Sequence, residues 1–283
     1  MKNSLTAVIL EACYRSDHWA DTKNLEVMGM KKTFKSTFES GKKVIGYFLS
    51  SNCAEIIEVT AAAGFDFVII DDEHACWGIA PNIDLVRAAD AAGIATLIRV
   101  PELTETYVKW ALDLGASGVM VPGISSAEEA RRAVYLSRFA PEGGRGACPY
   151  TRNNAFGVRD TVEYFAKTNA ELSVVALIEG VEGVKNYDEI LEVEGLDMVF
   201  FGPMDLSASL GIPGQVTHPK VEAAIAEMIR KANAHGKKAG MFVADKEQAK
   251  KWLAAGADYI TYNDLIMFTE VCKDSLEAAR SVQ

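Results

Sequence analysis

Four short segments bring together residues suited to acid–base or metal chemistry, and each lies at the end of an apolar run. Ile70-Asp71-Asp72-Glu73-His74 sets three carboxylates before an imidazole; Arg99 sits in Leu97-Ile98-Arg99-Val100; Glu179 ends Leu177-Ile178-Glu179; and Asp205 lies in Phe201-Gly202-Pro203-Met204-Asp205-Leu206-Ser207. Glu179 and Asp205 follow runs expected to be buried on both faces, where an unpaired carboxylate costs several kcal/mol. Two arrangements would satisfy them. A divalent ion suits two carboxylates and leaves positions for water and a bidentate substrate. Alternatively, a salt bridge to Arg99 satisfies them, or Asp205 caps a helix. His74, close to Asp71, has the make-up of a base or proton shuttle whose tautomer a carboxylate fixes, or it is a structural histidine. Arg99 is suited to holding a carboxylate or a developing enolate oxygen, or to neutralising the acidic ring.

What must position these residues is legible in the apolar pattern. Eight short runs, Val44 to Leu49, Phe67 to Ile70, Thr96 to Val100, Gly118 to Val121, Val174 to Ile178, Met198 to Phe201, Lys238 to Val243 and Tyr259 to Thr261, read as strands. Segments of helical spacing separate them, among them Ala54 to Ala63, Glu105 to Leu114, Ala127 to Phe139, Lys185 to Val193, Val221 to Ala234 and Lys246 to Ala255. Strand alternating with helix implies parallel strands and right-handed crossovers. Eight units close into a (β/α)8 TIM barrel, one domain over residues 41–283 preceded by an N-terminal helical extension over residues 1–40. No G-x-G-x-x-G follows the first strand, which weakens an open doubly wound sheet. In a barrel the active site lies at the C-terminal ends of the strands, where all four segments fall.

Composition narrows the function. With 283 residues, 49% hydrophobic and 24% charged, the chain has material for a large core. A formal net charge of -10 argues against a duplex nucleic-acid binder. The apolar runs are far shorter than the ~20 residues of a membrane helix, and residues 1–30 lack the order of a secretory signal. A cytoplasmic protein is expected. Cys13, Cys53, Cys76, Cys148 and Cys272 are scattered and form no C-x-x-C pair, which fits reduced thiols. Cys76 and Cys148 lie near the candidate segments as packing groups or reactive thiols. Trp77 is a pocket wall or a packing residue, His218 and His235 read as cap or surface residues, and His18 lies outside the barrel. The Gly-, Pro-, Arg- and Asn-rich stretch Pro141 to Gly157 is a long loop of the kind that commonly carries function.

Taken together, Ile70-Asp71-Asp72-Glu73-His74, Arg99-Val100-Pro101, Pro141-Glu142-Gly143-Gly144-Arg145-Gly146, Leu177-Ile178-Glu179 and Gly202-Pro203-Met204-Asp205-Leu206-Ser207 resemble the HpcH/HpaI aldolase family. The likeness runs from about Gly41 to the C-terminus. It implies a metal-dependent class II pyruvate aldolase of the 2-dehydro-3-deoxyaldarate or 4-hydroxy-2-oxoheptanedioate type, which interconverts a 4-hydroxy-2-oxo acid with a 2-oxo acid and an aldehyde. On that resemblance Glu179 and Asp205 ligate the ion (Mg²⁺ or Mn²⁺, with Co²⁺ or Zn²⁺ able to use the same oxygens), and Arg99 steadies the keto oxygen. His74, paired with Asp71, moves the proton of the aldol hydroxyl. The amides of Met204 and Asp205, past Gly202, receive the substrate carboxylate. The resemblance also implies a homohexamer in which Asp113 approaches a neighbouring site.

Two departures stand out. Leu177 occupies the place of a glutamine usual in such aldolases, and Ala147-Cys148-Pro149-Tyr150-Thr151-Arg152-Asn153-Asn154 is bulkier and more polar than usual. With the long N-terminus they suggest a substrate unlike the simple sugar-derived or aromatic-degradation acids. An oxaloacetate decarboxylase or macrophomate-synthase-like enzyme would use the same metal enolate. A non-catalytic binding barrel would not need all of Glu179, Asp205, His74 and Arg99.

Overall fold

Strand runs that are apolar without alternation need cover on both faces, and a closed barrel ringed by helices provides it. The computed structural model describes residues 32–75 and 77–282. Within them β1 (Val44–Leu49), β2 (Phe67–Asp71), β3 (Ala95–Arg99), β4 (Gly118–Val121), β5 (Ser173–Ile178), β6 (Met198–Phe201), β7 (Lys238–Phe242) and β8 (Tyr259–Asn263) pair in sequence order, all parallel. β8 returns to β1 with Gly46 opposite Thr261, closing the (β/α)8 barrel that the sequence predicts. Helices Ala54–Ala63 and Glu105–Leu114 have the expected bounds. The expected helix from Lys185 to Val193 is instead two short ones, Val181–Lys185 and Tyr187–Leu191, parted at Asn186, whose φ of -93° and ψ of 12° leave the helical region.

Side chains alternate across each strand, so residues two apart share a face. On the inner face β1 presents Val44 and Phe48, β2 Phe67 and Ile69, β3 Ala95 and Leu97, β5 Val175 and Leu177, and β6 Met198 and Phe200. The intervening residues, such as Val68, Ile70, Ile98, Ala176 and Val199, pack outward beneath the helices. Glycines make room where rings fill the barrel: a Cβ on Gly240 would stand 2.1 Å from the Tyr259 ring.

Ahead of β1, a 3-10 turn at Lys35–Phe38 follows Phe34, which is fully buried at the N-terminal end of the barrel. Its ring lies 4.6 Å from that of Phe67 and 5.4 Å from that of Tyr259, and its N–H donates to Ser117 Oγ at 3.1 Å. Residues 1–31 of the expected extension, with Cys13 and His18, lie outside the described residues, as does Cys76.

The stretch Pro141 to Gly157 lies in the helix-to-strand connection before β5, together with a helix at Thr161–Glu171 that the sequence reading did not predict. Arg145 binds Asp113 at 2.7 Å and Arg152 binds Asp90 at 2.6 Å. Both acids sit near the C-terminal ends of their helices, at the side of the barrel away from the strand C-termini. The loop therefore does not cover the mouth of its own barrel, and Cys148 on it is remote from that mouth.

Because Gly240 faces a buried ring with no free space, Gly240→Ala is expected to destabilise the fold by about 1–3 kcal/mol. Denaturant unfolding checks this, with a lower midpoint at unchanged slope as the expected result.

Candidate active site

The inner-face alternation continues past the last apolar layer, and there the chemistry begins. Two residues beyond Ile69, Leu97, Leu177 and Phe200 come Asp71, Arg99, Glu179 and Gly202, and all four line one cavity at the C-terminal end of the barrel. Phe48, Leu177, Phe200, Pro203, Met204, Phe242 and Asn263 complete it, around a space of ≈ 130 Å³ that opens to solvent. The register sets Asp71 beside Arg99 on adjacent strands.

Arg99 is held on three sides. Its Nε donates to Asp71 Oδ1 at 2.8 Å and its Nη2 to Asp71 Oδ2 at 2.7 Å, the bidentate geometry that planar guanidinium favours. Its Nη1 meets Glu73 Oε2 at 3.0 Å, and the guanidinium carbon lies 4.7 Å from the centre of the Phe48 ring. The arginine thus pairs with the β2 acids, and the alternative in which it satisfies Glu179 and Asp205 is not the one formed. Asp71 also accepts from the backbone N–H of Glu73 at 3.1 Å and of His74 at 3.4 Å, which turns the chain after β2 around the carboxylate. The His74 side chain is 67% exposed at the mouth, with its Nε2 4.0 Å from Glu73 Oε2. Asp71 thus meets His74 through the backbone N–H, and Glu73 stands beside the ring.

Glu179 is half-buried and accepts from the N–H of Gly123 at 2.9 Å. Gly123 reaches that position with φ of +64°, a left-handed conformation suited to glycine. Across the mouth, Gly202 leaves the Glu179 carboxylate its space: a Cβ there would stand 2.9 Å from Glu179 Oε2. Asp205 follows in the short helix Pro203–Ser209, where it is exposed. The expectation that burial makes Asp205 costly is thus corrected, and only Glu179 bears that cost. The cap residue of this helix is Gly202, so Asp205 does not cap it.

Burial, then the charges of Glu73 and Asp205, push the Glu179 carboxyl up to about 7 from its ordinary 4.5. Burial raises Glu73 as well, against the pull of Arg99. Three carboxylates thus share a mouth in which the guanidinium is already engaged, an arrangement that a hard dication would relieve. Among the described residues no group of three His, Cys, Asp or Glu is disposed to hold an ion alone. Glu179 and Asp205, completed by water and substrate oxygens, fit Mg²⁺ or a similar ion.

Other candidates fall away from the cavity. Trp77 donates from Nε1 to Asn82 Oδ1, and Asn82 in turn donates to Asp72 Oδ2 at 2.7 Å, so Trp77 ties down the chain after β2. His218 caps the helix Pro219–Ala234 through Nδ1, as its position suggests. Glu73, Gly123, Phe48, Phe242 and Asn263 were missed as site residues. Extending each strand's inner-face alternation by one step would have found Phe48, Phe242 and Asn263.

An acidic cation site with an arginine at the strand ends of a (β/α)8 barrel defines a class of enzymes that stabilise negative charge on a substrate oxygen. Comparison with known proteins narrows the class. Residues 44–262 match the model of the HpcH/HpaI aldolase/citrate lyase family. The 2-keto-3-deoxy-L-rhamnonate aldolase of Salmonella gallinarum is 35% identical over 256 residues, 90% of this chain and 95% of the relative. An HpcH/HpaI aldolase/citrate lyase family protein from Burkholderia cenocepacia superimposes with a TM-score of 0.82 at 33% identity, covering 87% of this chain and 98% of the other. The citrate synthase SbnG does so with a TM-score of 0.80 at 34% identity, over 88% and 98%. The chain belongs to the HpcH/HpaI aldolase/citrate lyase family, and with it to the metal-dependent aldolases.

Two outcomes follow from the position of Glu179. Gly202→Ala is expected to displace its carboxylate and weaken Mn²⁺ binding by roughly tenfold or more in calorimetry, since a ligand set tolerates little misplacement. The second concerns pH. Without metal, Glu179 keeps its proton up to about 7, whereas the unfolded chain releases it near 4.5. The metal-free fold therefore loses stability as pH rises through that window. A divalent ion, which needs the ionised form, gains affinity over the same window by about tenfold per pH unit and levels off above it. Affinity that stays flat from about pH 5.5 to pH 8 would contradict the assignment of Glu179.

Proposed function

We propose that the protein catalyses reversible aldol cleavage of a 4-hydroxy-2-oxo acid to pyruvate, or a related 2-oxo acid, and an aldehyde. The observation that carries this reading is Glu179 facing the clamped Arg99 across one cavity, with the charge of Asp205 near enough to raise the Glu179 carboxyl, in a chain of this family. On this reading Glu179 and Asp205 hold a divalent ion, Mg²⁺ or Mn²⁺, with Co²⁺ or Zn²⁺ able to use the same oxygens. The ion supplies positive charge to the substrate oxygen that becomes negative as the carbon–carbon bond breaks.

The chain's own residues do the rest. Arg99, immobilised by Asp71 and Glu73, points a permanent charge at the keto oxygen and needs no rearrangement as charge develops there. The amides of Met204 and Asp205, in the first helical turn and without helical acceptors, receive the substrate carboxylate. His74, exposed at the mouth and near Glu73, takes the proton of the C4 hydroxyl as the C3–C4 bond breaks. The bonding pair moves into the C2–C3 bond and displaces electrons onto the C2 oxygen; C3 is then reprotonated. Phe48, Leu177, Phe200 and Phe242 keep the floor free of water.

Assembly as a homo-oligomer, a hexamer by family resemblance, belongs to the same reading, with Asp113 directed to a neighbouring site. An apolar face on the terminal helix Asp264–Arg280, where Phe268 and Val271 are more than 60% exposed, supports assembly. A cytoplasmic setting without nucleic-acid or membrane partners is also proposed. The described cysteines Cys53, Cys148 and Cys272 are free thiols, and among the described residues no helix is long and apolar enough to cross a membrane.

The test is release of pyruvate from 2-keto-3-deoxy-L-rhamnonate, measured with Mg²⁺, with Mn²⁺ and with chelator. Release is expected only with metal. Glu179→Ala and Asp205→Ala should fall to the chelated rate. His74→Ala should lose roughly a hundredfold or more while still binding Mn²⁺. Full metal-dependent activity in Glu179→Ala would refute the ligand assignment. Carbon dioxide release from oxaloacetate without any aldol cleavage would identify a decarboxylase instead.

A further inference from the structure

Asp71, Asp72 and Glu73 follow one another where β2 ends, and the two outer members take Arg99. The middle one turns to the helix Asn82–Ala92 instead: Asn82, its first residue, donates from Nδ2 to Asp72 Oδ2 at 2.7 Å. The backbone N–H of Asp72 donates to the Arg99 carbonyl at 3.0 Å. Asp72 is thus tied to β3 by its main chain and to the helix by its side chain. Asn82 is fully buried, and its Oδ1 accepts from Trp77 Nε1 at 3.3 Å. A carboxylate only accepts and an indole N–H only donates, so the place between them needs one group of each kind, which a side-chain amide supplies. Burial raises the Asp72 carboxyl, and the Asn82 hydrogen bond acts against that rise.

We infer that Asn82 is a positioning residue of the active site: by holding Asp72 away from Arg99, it fixes the turn from which Glu73 clamps the guanidinium and His74 presents its ring. The inference rests on the aldolase reading for the role of His74 and adds to it the residue that sets its place. Without the amide, the buried carboxylate loses its donor, and it is relieved by rotating into water or by competing with Asp71 and Glu73 for the one guanidinium beside it. Either movement displaces the main chain between Asp71 and His74, because Asp72 lies between them. A misplacement of about 1 Å is enough to cost on the order of a hundredfold in rate. Glu179 and Asp205 follow other strands, β5 and β6, so ion binding does not depend on this tie.

The experiment compares Asn82→Leu, which keeps similar bulk without the amide, with the unaltered full chain, both loaded with Mn²⁺. Release of pyruvate from 2-keto-3-deoxy-L-rhamnonate should lose roughly tenfold or more in kcat at a temperature where both are folded by circular dichroism, with KM and Mn²⁺ affinity held within about twofold. Hydrogen exchange read by mass spectrometry should be faster in Asp72–Ala75, which carries Glu73 and His74, and unchanged in the strands. Asp72→Asn keeps an acceptor for the amide and should hold kcat within about threefold, whereas Asp72→Leu should fall with Asn82→Leu; this second pair decides the matter if Asn82→Leu does not fold. The inference is overturned by unchanged kcat or unchanged exchange of Asp72–Ala75 in Asn82→Leu, by loss of Mn²⁺ binding along with turnover, or by equal losses in Asp72→Asn and Asp72→Leu. If the unaltered protein releases no pyruvate, the aldolase reading fails, and the exchange comparison still decides whether Asn82 holds the turn.

Discussion

Like-charged carboxylates in a half-buried space cannot all ionise without a counter-charge, and this constraint organises the mouth of the barrel. Asp71 and Glu73 meet it with Arg99, held by both acids at 3.0 Å or less. Glu179 has no such partner among the described residues; its carboxyl, raised by burial and by Glu73 and Asp205, marks where positive charge is wanted. The division is useful to an enzyme. On the proposed reading, one fixed cation is locked in place by the protein, and the place for another is left to an exchangeable ion. Substrate oxygens can then meet both.

The barrel beneath makes that division geometrically exact enough to work on. Four strands carry their inner-face alternation from an aromatic or aliphatic layer into the layer that lines the cavity: Ile69 to Asp71, Leu97 to Arg99, Leu177 to Glu179, Phe200 to Gly202. The packed interior, closed at the other end by Phe34, gives the polar layer a rigid floor. Small residues matter as much as charged ones at the rim. Gly123 offers its N–H to Glu179, and Gly202 withholds a side chain from the space that carboxylate needs.

Much of this was legible beforehand because it follows from periodicity. All eight strands were predicted in place, and the polar residues ending them, Asp71, Arg99 and Glu179, do converge on one cavity. What was not legible depends on three-dimensional choices that spacing leaves open. Arg99 had several acids within plausible reach, and only the β2–β3 register decides for Asp71 and Glu73. His74 lies three residues from Asp71, yet the turn gives Asp71 its backbone N–H and brings its ring near Glu73. Asp205 follows an apolar strand but emerges on an exposed helical turn. The polar stretch after Arg145 looked like a specificity loop, but it is anchored to the C-terminal ends of helices and stands away from its own mouth. Of the two departures from the family pattern, Leu177 is therefore the one that touches the cavity of this chain.

In the proposed reaction Glu179 and Asp205 hold a dication that acidifies C3 of a bound 2-oxo acid. This is tested most directly by following exchange of the pyruvate methyl protons for deuterium by NMR, in chelated, Mg²⁺-loaded and Mn²⁺-loaded protein. Exchange is expected with either metal, none above background with chelator, and none in Glu179→Gln at any metal concentration that saturates the unaltered protein. Exchange in chelated protein, or undiminished exchange in Glu179→Gln, would contradict it.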